Sequence, residues 1–166
     1  ELYCALKDMG MILTLNTNGT LINEEWAEFF AKNKPRRINI TLYGSKNETY
    51  ENLCHMKDGF DKTIRGIELL KKYKIDVKIN GSLVKKNFHD RMEIIDIGEK
   101  YDIPVRIDTY MYPSVRERTT PFNFQERLNP EDAAKARVEI LHREMGDELF
   151  EPVSYTHLTL PTKLEV

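Results

Sequence analysis

The chain has 166 residues, with 25 Lys and Arg against 27 Asp and Glu, a formal charge of −2, and 40% apolar and 31% charged residues. That balance describes one globular domain or part of one, and near-neutrality without a long basic run excludes the electrostatic footprint of a general nucleic-acid binder. No apolar stretch approaches the roughly 20 residues that cross a bilayer, and Glu1-Leu2-Tyr3 has no signal-like character. A cytoplasmic setting without nucleic-acid or membrane partners is the expectation.

Leu2, Leu6 and Met9 fall on one helical stripe that is already under way at Glu1, so the start reads as truncated. Residues 11–16 form a β-rich run that ends in the turn signal Thr17-Asn18-Gly19. Asn23 is the expected N-cap of the next helix. Glu24 and Glu25 sit where the helix dipole favours negative charge, Trp26, Phe29 and Phe30 share a side, and Pro35 marks the end. A second strand spans residues 37–43 and is closed by Gly44, with a short helix over 45–52. The clearest helix covers residues 60–73, with Phe60, Ile64, Ile67 and Leu70 on one face. A third strand follows over 76–84, then a helix capped by Asn87 with Phe88, Met92, Ile95 and Tyr101 periodic, then a fourth strand over 104–110. Strands joined by helices of this length make parallel crossovers, which gives an α/β fold, either an open sheet or part of a barrel.

Beyond Pro113 the period is lost, and residues 114–129 read as a loop between a first region, 1–113, and a helix over 130–152. Asn129-Pro130-Glu131 opens that helix with a cap, a proline and an acid, and Ala134, Val138, Leu141 and Met145 are its expected apolar face. Residues 153–162, Val-Ser-Tyr-Thr-His-Leu-Thr-Leu-Pro-Thr, resemble the in-frame translation of a transposase sequencing adapter. Residues 153–166, His157 included, are therefore expected to carry no function. The competing reading is a genuine strand around Tyr155, Leu158 and Leu160.

Parallel strands covered on both faces read as continuous apolar runs, and these do not. Met11, Leu13 and Leu15 oppose Thr14, Asn16 and Asn18; Ile38, Ile40 and Leu42 oppose Asn39, Thr41 and Tyr43. Val77 and Ile79 oppose Lys78, Asn80 and Ser82; Val105 and Ile107 oppose Arg106, Asp108 and Tyr110. Amphipathic helices must cover the apolar sides, so four polar sides are left facing one space. Burying such groups unpaired costs several kcal/mol each, so that space holds water or a polar ligand, or else the polar side is simply solvated. Lys78, Arg106 and Asp108 serve either a ligand carboxylate or an internal ion-pair network. Ligands of parallel α/β folds sit at the C-terminal edge of the strands, here Thr17 to Gly19, Tyr43-Gly44, Ser82 and Tyr110 to Pro113.

Thr17-Asn18-Gly19-Thr20-Leu21, then Asn39-Ile40-Thr41-Leu42-Tyr43-Gly44 with Thr49-Tyr50, then the helix of Phe60 and Leu70, resemble the middle of a radical S-adenosylmethionine (SAM) enzyme of the SPASM or twitch-type branch. The resemblance implies a partial (β/α)6 TIM-like barrel, of which residues 1–113 would supply four parallel strands, the third to the sixth. It places Thr41 against the ribose or methionine end of S-adenosylmethionine, with Asn80 and Ser82 near the same ligand. Val105 to Tyr110 with Tyr112-Pro113 is similar to the family's adenine-side segment. The cofactor-binding set so implied is Asn16, Asn18, Thr41, Tyr43, Gly44, Lys78, Asn80, Ser82, Arg106, Asp108 and Tyr112.

The same resemblance implies a [4Fe-4S] cluster, reductive cleavage of the sulfonium and hydrogen abstraction from a peptide or protein substrate, with a peptide or small-molecule substrate and an electron donor such as flavodoxin or ferredoxin as partners. The cluster-binding CxxxCxxC loop is absent and would lie before Glu1, so the chain alone is expected to be inactive. Cys4 and Cys54, fifty residues apart, read as apolar fillers, and His55, His89 and His142 share no metal spacing. The rival is a non-radical barrel lyase or isomerase, or a cluster-less barrel that only binds. No GxGxxG or P-loop turn supports phosphate handling.

Overall fold

A computed structural model describes residues 1–111 and 125–150. Tyr112, most of the expected loop and the adapter-like residues lie outside the described residues. The chain divides into two compact units, Glu1–Leu128 and Asn129–Val166.

In the first unit, helix α1 (Leu2–Asp8) leads to strand β1 (Thr14–Thr17), α2 (Glu24–Lys32) to β2 (Arg37–Thr41), and α3 (Asn47–Cys54) with α4 (Gly59–Lys72) to β3 (Val77–Ser82). A 3-10 turn (Phe88–Asp90) runs into α5 (Arg91–Tyr101), which precedes β4 (Val105–Asp108). The strands form one sheet in the order β1-β2-β3-β4, every pair parallel. Each new strand is added on the same side of the last, so crossovers of one hand place all the connecting helices on one face. That face is the apolar one: Ile38, Ile40, Leu42, Val77, Ile79 and Ile107 are buried. Helix α4 packs against β3 and α2, and α5 against β4.

Local chemistry explains where the elements begin and turn. Asn23 caps α2 by accepting the Trp26 N–H at 2.9 Å, with Glu24 and Glu25 in the first turn. After β1 the chain reverses through Gly19, whose φ of +76° lies in the region open to glycine. Gly66 of α4 lies against this turn, and a Cβ there would come 2.5 Å from the Gly19 carbonyl oxygen. The helix can approach the end of β1 this closely only because residue 66 has no side chain.

Three local expectations change. In α1, Leu2 and Met9 are exposed; Tyr3 faces inward instead, its hydroxyl donating to the Asn33 carbonyl and its ring packed edge-on against Phe29 and Phe30. Asn87 makes no helix-capping hydrogen bond, because its side chain turns back to the end of β3. In the second unit, α6 (Pro130–Met145) is capped by Asn129 at the Asp132 N–H, but buries Ala133, Ala136 and Ile140 while Val138 is exposed.

Candidate functional site

The polar residues of the four strands stand together on the face that the helices leave open. Parallel register aligns Asn16, Asn39 and Lys78 in one row across β1, β2 and β3. A second row aligns Thr41, Asn80 and Arg106 across β2, β3 and β4, and a third pairs Ser82 with Asp108. Strands lie about 4.8 Å apart, so each three-residue row spans roughly 10 Å, the size of a small polar ligand.

Within this field the Asn39 amide donates to the Asn16 side-chain oxygen at 2.8 Å. The Arg106 guanidinium donates twice to Asp108 Oδ1, at 3.1 Å from Nε and from Nη2. The pair is solvated, with side chains 65% and 54% exposed, so it is a surface ion pair and not a buried network. Lys78, Asn80 and Thr41 are half-buried, while Asn16, Ser82, Arg106 and Asp108 are exposed. The common polar face is therefore present, and among the described residues it is an open sheet surface and not an enclosed lumen.

The expected residues at the strand ends divide into two kinds. Asn18 spends its side-chain oxygen on its own turn, accepting the Thr20 N–H and hydroxyl at 3.2 and 2.9 Å. Tyr43 packs edge-on against the buried Tyr50, and burial pushes the Tyr43 phenol above its ordinary pKa. Gly44 is buried, and a Cβ there would overlap Thr49 and come 2.6 Å from Asp90 Oδ2. Gly44 therefore explains a close packing of the chain behind the open face.

Sequence reasoning missed the side chains that hold this edge from behind. Tyr50 is 1% exposed; its hydroxyl accepts the Tyr43 N–H at 3.3 Å and donates to Thr63 Oγ1 at 3.3 Å. The Thr63 hydroxyl reaches the Gly59 carbonyl at 2.8 Å and the Asn18 carbonyl at 3.1 Å. Asn87 and Asp90, both buried, bind the ends of β2 and β3. Polar residues just ahead of a helix carry a capping signature, and only burial reveals the other use.

No group of three His, Cys, Asp or Glu side chains among the described residues could hold a metal ion. Cys4 and Cys54 sit in separate helices, and burial raises the Cys54 thiol, which disfavours the thiolate that binds iron. The described residues thus do not fit an iron–sulfur cluster, and the sheet face offers amides, hydroxyls and cations. An apolar cleft of about 440 Å³, lined by Tyr3, Leu15, Trp26, Phe29 and Phe30 with Glu1 and Glu25, lies away from this face. No helix among the described residues is long and apolar enough to cross a membrane.

Residues 1–98 match the family model described as Radical SAM superfamily. The chain is similar to an AdoMet-dependent heme synthase of Methanosarcina barkeri, 29% identical over 74% of this chain and 36% of that protein. It is also similar to a cysteine-type anaerobic sulfatase-maturating enzyme of Clostridium novyi, 34% identical over 49% of this chain and 22% of that protein. A solved structure, native anSMEcpe with bound AdoMet and Cp18Cys peptide, matches 77% of this chain and 35% of its own with a TM-score of 0.62 and 26% identity. The chain thus spans about a third or less of these relatives.

Proposed function

Because the chain belongs to the radical SAM superfamily, we propose that its open sheet face holds S-adenosylmethionine within a longer parent enzyme acting on a peptide or protein. The observation that carries this reading is the row Thr41, Asn80 and Arg106, aligned across three strands on the face left free of helices. The ligand offers ribose hydroxyls, an adenine edge, a carboxylate and an ammonium. Hydroxyl and amide side chains such as Thr41, Asn80 and Ser82 suit the first two, and Lys78 or Arg106 the carboxylate. Asp108, already a partner of Arg106, orients that guanidinium and can accept from a ligand ammonium or hydroxyl. Asn16, Asn18, Tyr43, Gly44 and Tyr112 border the same site in this proposal.

Together with a four-iron cluster and one electron from the donor, S-adenosylmethionine held there would supply hydrogen-abstraction chemistry in the parent enzyme. The part proposed for this chain is to bind and orient the nucleoside. The peptide substrate class is supported by the peptide bound in the similar solved structure. A cytoplasmic setting and a flavodoxin- or ferredoxin-type electron donor belong to the same proposal.

The test is calorimetric titration of the chain with S-adenosylhomocysteine, which shares the nucleoside and the carboxylate. One-to-one binding weakened by Arg106→Ala supports the reading, and no saturable binding overturns it. In the parent enzyme, anaerobic preparations would contain iron and sulfide and release 5′-deoxyadenosine.

A further inference from the structure

The buried polar side chains behind the open face are used in a way that helix capping does not explain. Asn87 is 0% exposed and Asp90 2% exposed, and neither makes a capping hydrogen bond to the helix it precedes. Asn87 Oδ1 accepts the Val84 N–H at 2.7 Å, which closes the end of β3 on itself. Its amide then donates to the Ser82 carbonyl at 3.1 Å and to the Tyr43 carbonyl at 2.9 Å. One side chain thereby fixes the distance between the C-terminal ends of two neighbouring strands. Asp90 Oδ2 accepts the Ser45 N–H at 2.9 Å and the Thr49 hydroxyl at 2.6 Å, while the exposed His89 ring meets Oδ1 at 3.1 Å. Between these anchors lies Gly44, with no room for a Cβ.

A buried amide or carboxylate left without partners is costly, so these two side chains hold the turn after β2 in one arrangement. Thr41 and Ser82, which bracket the proposed ligand field, are within two residues of the pinned atoms. We infer that Asn87 and Asp90 are positioning residues: by clamping the Tyr43–Ser45 turn to the end of β3 they set the spacing of the edge that receives the nucleoside. This inference rests on the proposed function for its ligand but not for its geometry.

The experiment compares Asn87→Ala with Ile75→Val, a core change at the opposite, N-terminal end of β3, in the full chain. Amide hydrogen exchange is read at Tyr43 and Ser45, whose N–H groups do not bond to Asn87, and at Ile38 and Ile40. In Asn87→Ala, exchange at Tyr43 and Ser45 rises about tenfold while Ile38 and Ile40 keep their protection. In Ile75→Val any rise is spread along the strands. S-adenosylhomocysteine affinity, measured at equal distance below each melting temperature, falls about tenfold in Asn87→Ala and is unchanged in Ile75→Val. Unchanged exchange at Tyr43 and Ser45, or an equal loss of affinity in both variants, overturns the inference. If the unsubstituted chain binds no S-adenosylhomocysteine, the proposed function fails and the exchange result alone decides the positioning role. If Asn87→Ala does not fold, Asn87→Asp, which keeps an oxygen for the Val84 N–H but loses the amide that donates to the Ser82 and Tyr43 carbonyls, is read in the same way.

Discussion

The two faces of the sheet are made by the same strands and differ in everything else. Along β2, Ile38 and Ile40 are buried beneath helices, while Asn39 and Thr41, alternating with them, stand on the open side. Along β3, Val77 and Ile79 alternate in the same way with Lys78 and Asn80. One residue of displacement separates a position buried for cohesion from one on the open side, where the proposed ligand would be met. Stability and ligand affinity should therefore respond to substitution in separate sets of positions.

The sharpest test of that separation is on the covered face. Ile40→Ala, at a site with 0% exposure, is expected to cost about 3–4 kcal/mol in denaturant unfolding. A cost below about 1 kcal/mol would mean that the helices do not close this face. Gly44→Ala comes next, since the added methyl meets Thr49 and Asp90; a loss of about 2 kcal/mol is expected from overpacking. Thr41→Val on the open face is expected to change stability by less than about 0.5 kcal/mol while weakening S-adenosylhomocysteine binding. Unchanged affinity would remove Thr41 from the ligand field.

The smallest expected effect lies on neither face. Glu24 accepts from Lys72 Nζ at 2.6 Å and from the Tyr73 hydroxyl at 2.7 Å, linking α2 to α4. The Lys72 hydrogen bond, followed by that from Tyr73, holds the Glu24 carboxyl below its ordinary value of 4.5, while Glu24 pushes the Tyr73 phenol up to about 12. A carboxyl lowered by folding contributes stability that is complete above its unfolded pKa and fades as pH falls through the folded one. Glu24→Gln should lower stability slightly at neutral pH, and the difference from the unsubstituted chain should close as pH falls below 4.5; a difference that does not change with pH would show that the tether contributes nothing.

Much of this was readable in the residues because a strand has a period of two and each of these strands obeys it. Alternation alone separated Asn39, Thr41, Lys78 and Asn80 from the core, and parallel pairing then brought them into rows. The stripe on α6 was not readable: Ala134, Val138 and Leu141 have helical spacing, but so do Ala133, Ala136 and Ile140, which are the buried ones. Both stripes share the helical period, so spacing alone does not say which of them is buried. Asn87 escaped for a related reason, since a short amide before a helix satisfies the capping pattern whichever way it points. Its partner at the Tyr43 carbonyl is 44 residues away in the chain.

The contact between Gly66 and the Gly19 carbonyl oxygen offers a handle on the binding edge that never enters it. A methyl group placed at position 66 would act as a wedge from the rear, levering the Thr17–Gly19 turn outward or tilting α4 away. Evolution or a designer could thereby retune the reach of the first strand's tip without altering a single side chain that a bound molecule would feel.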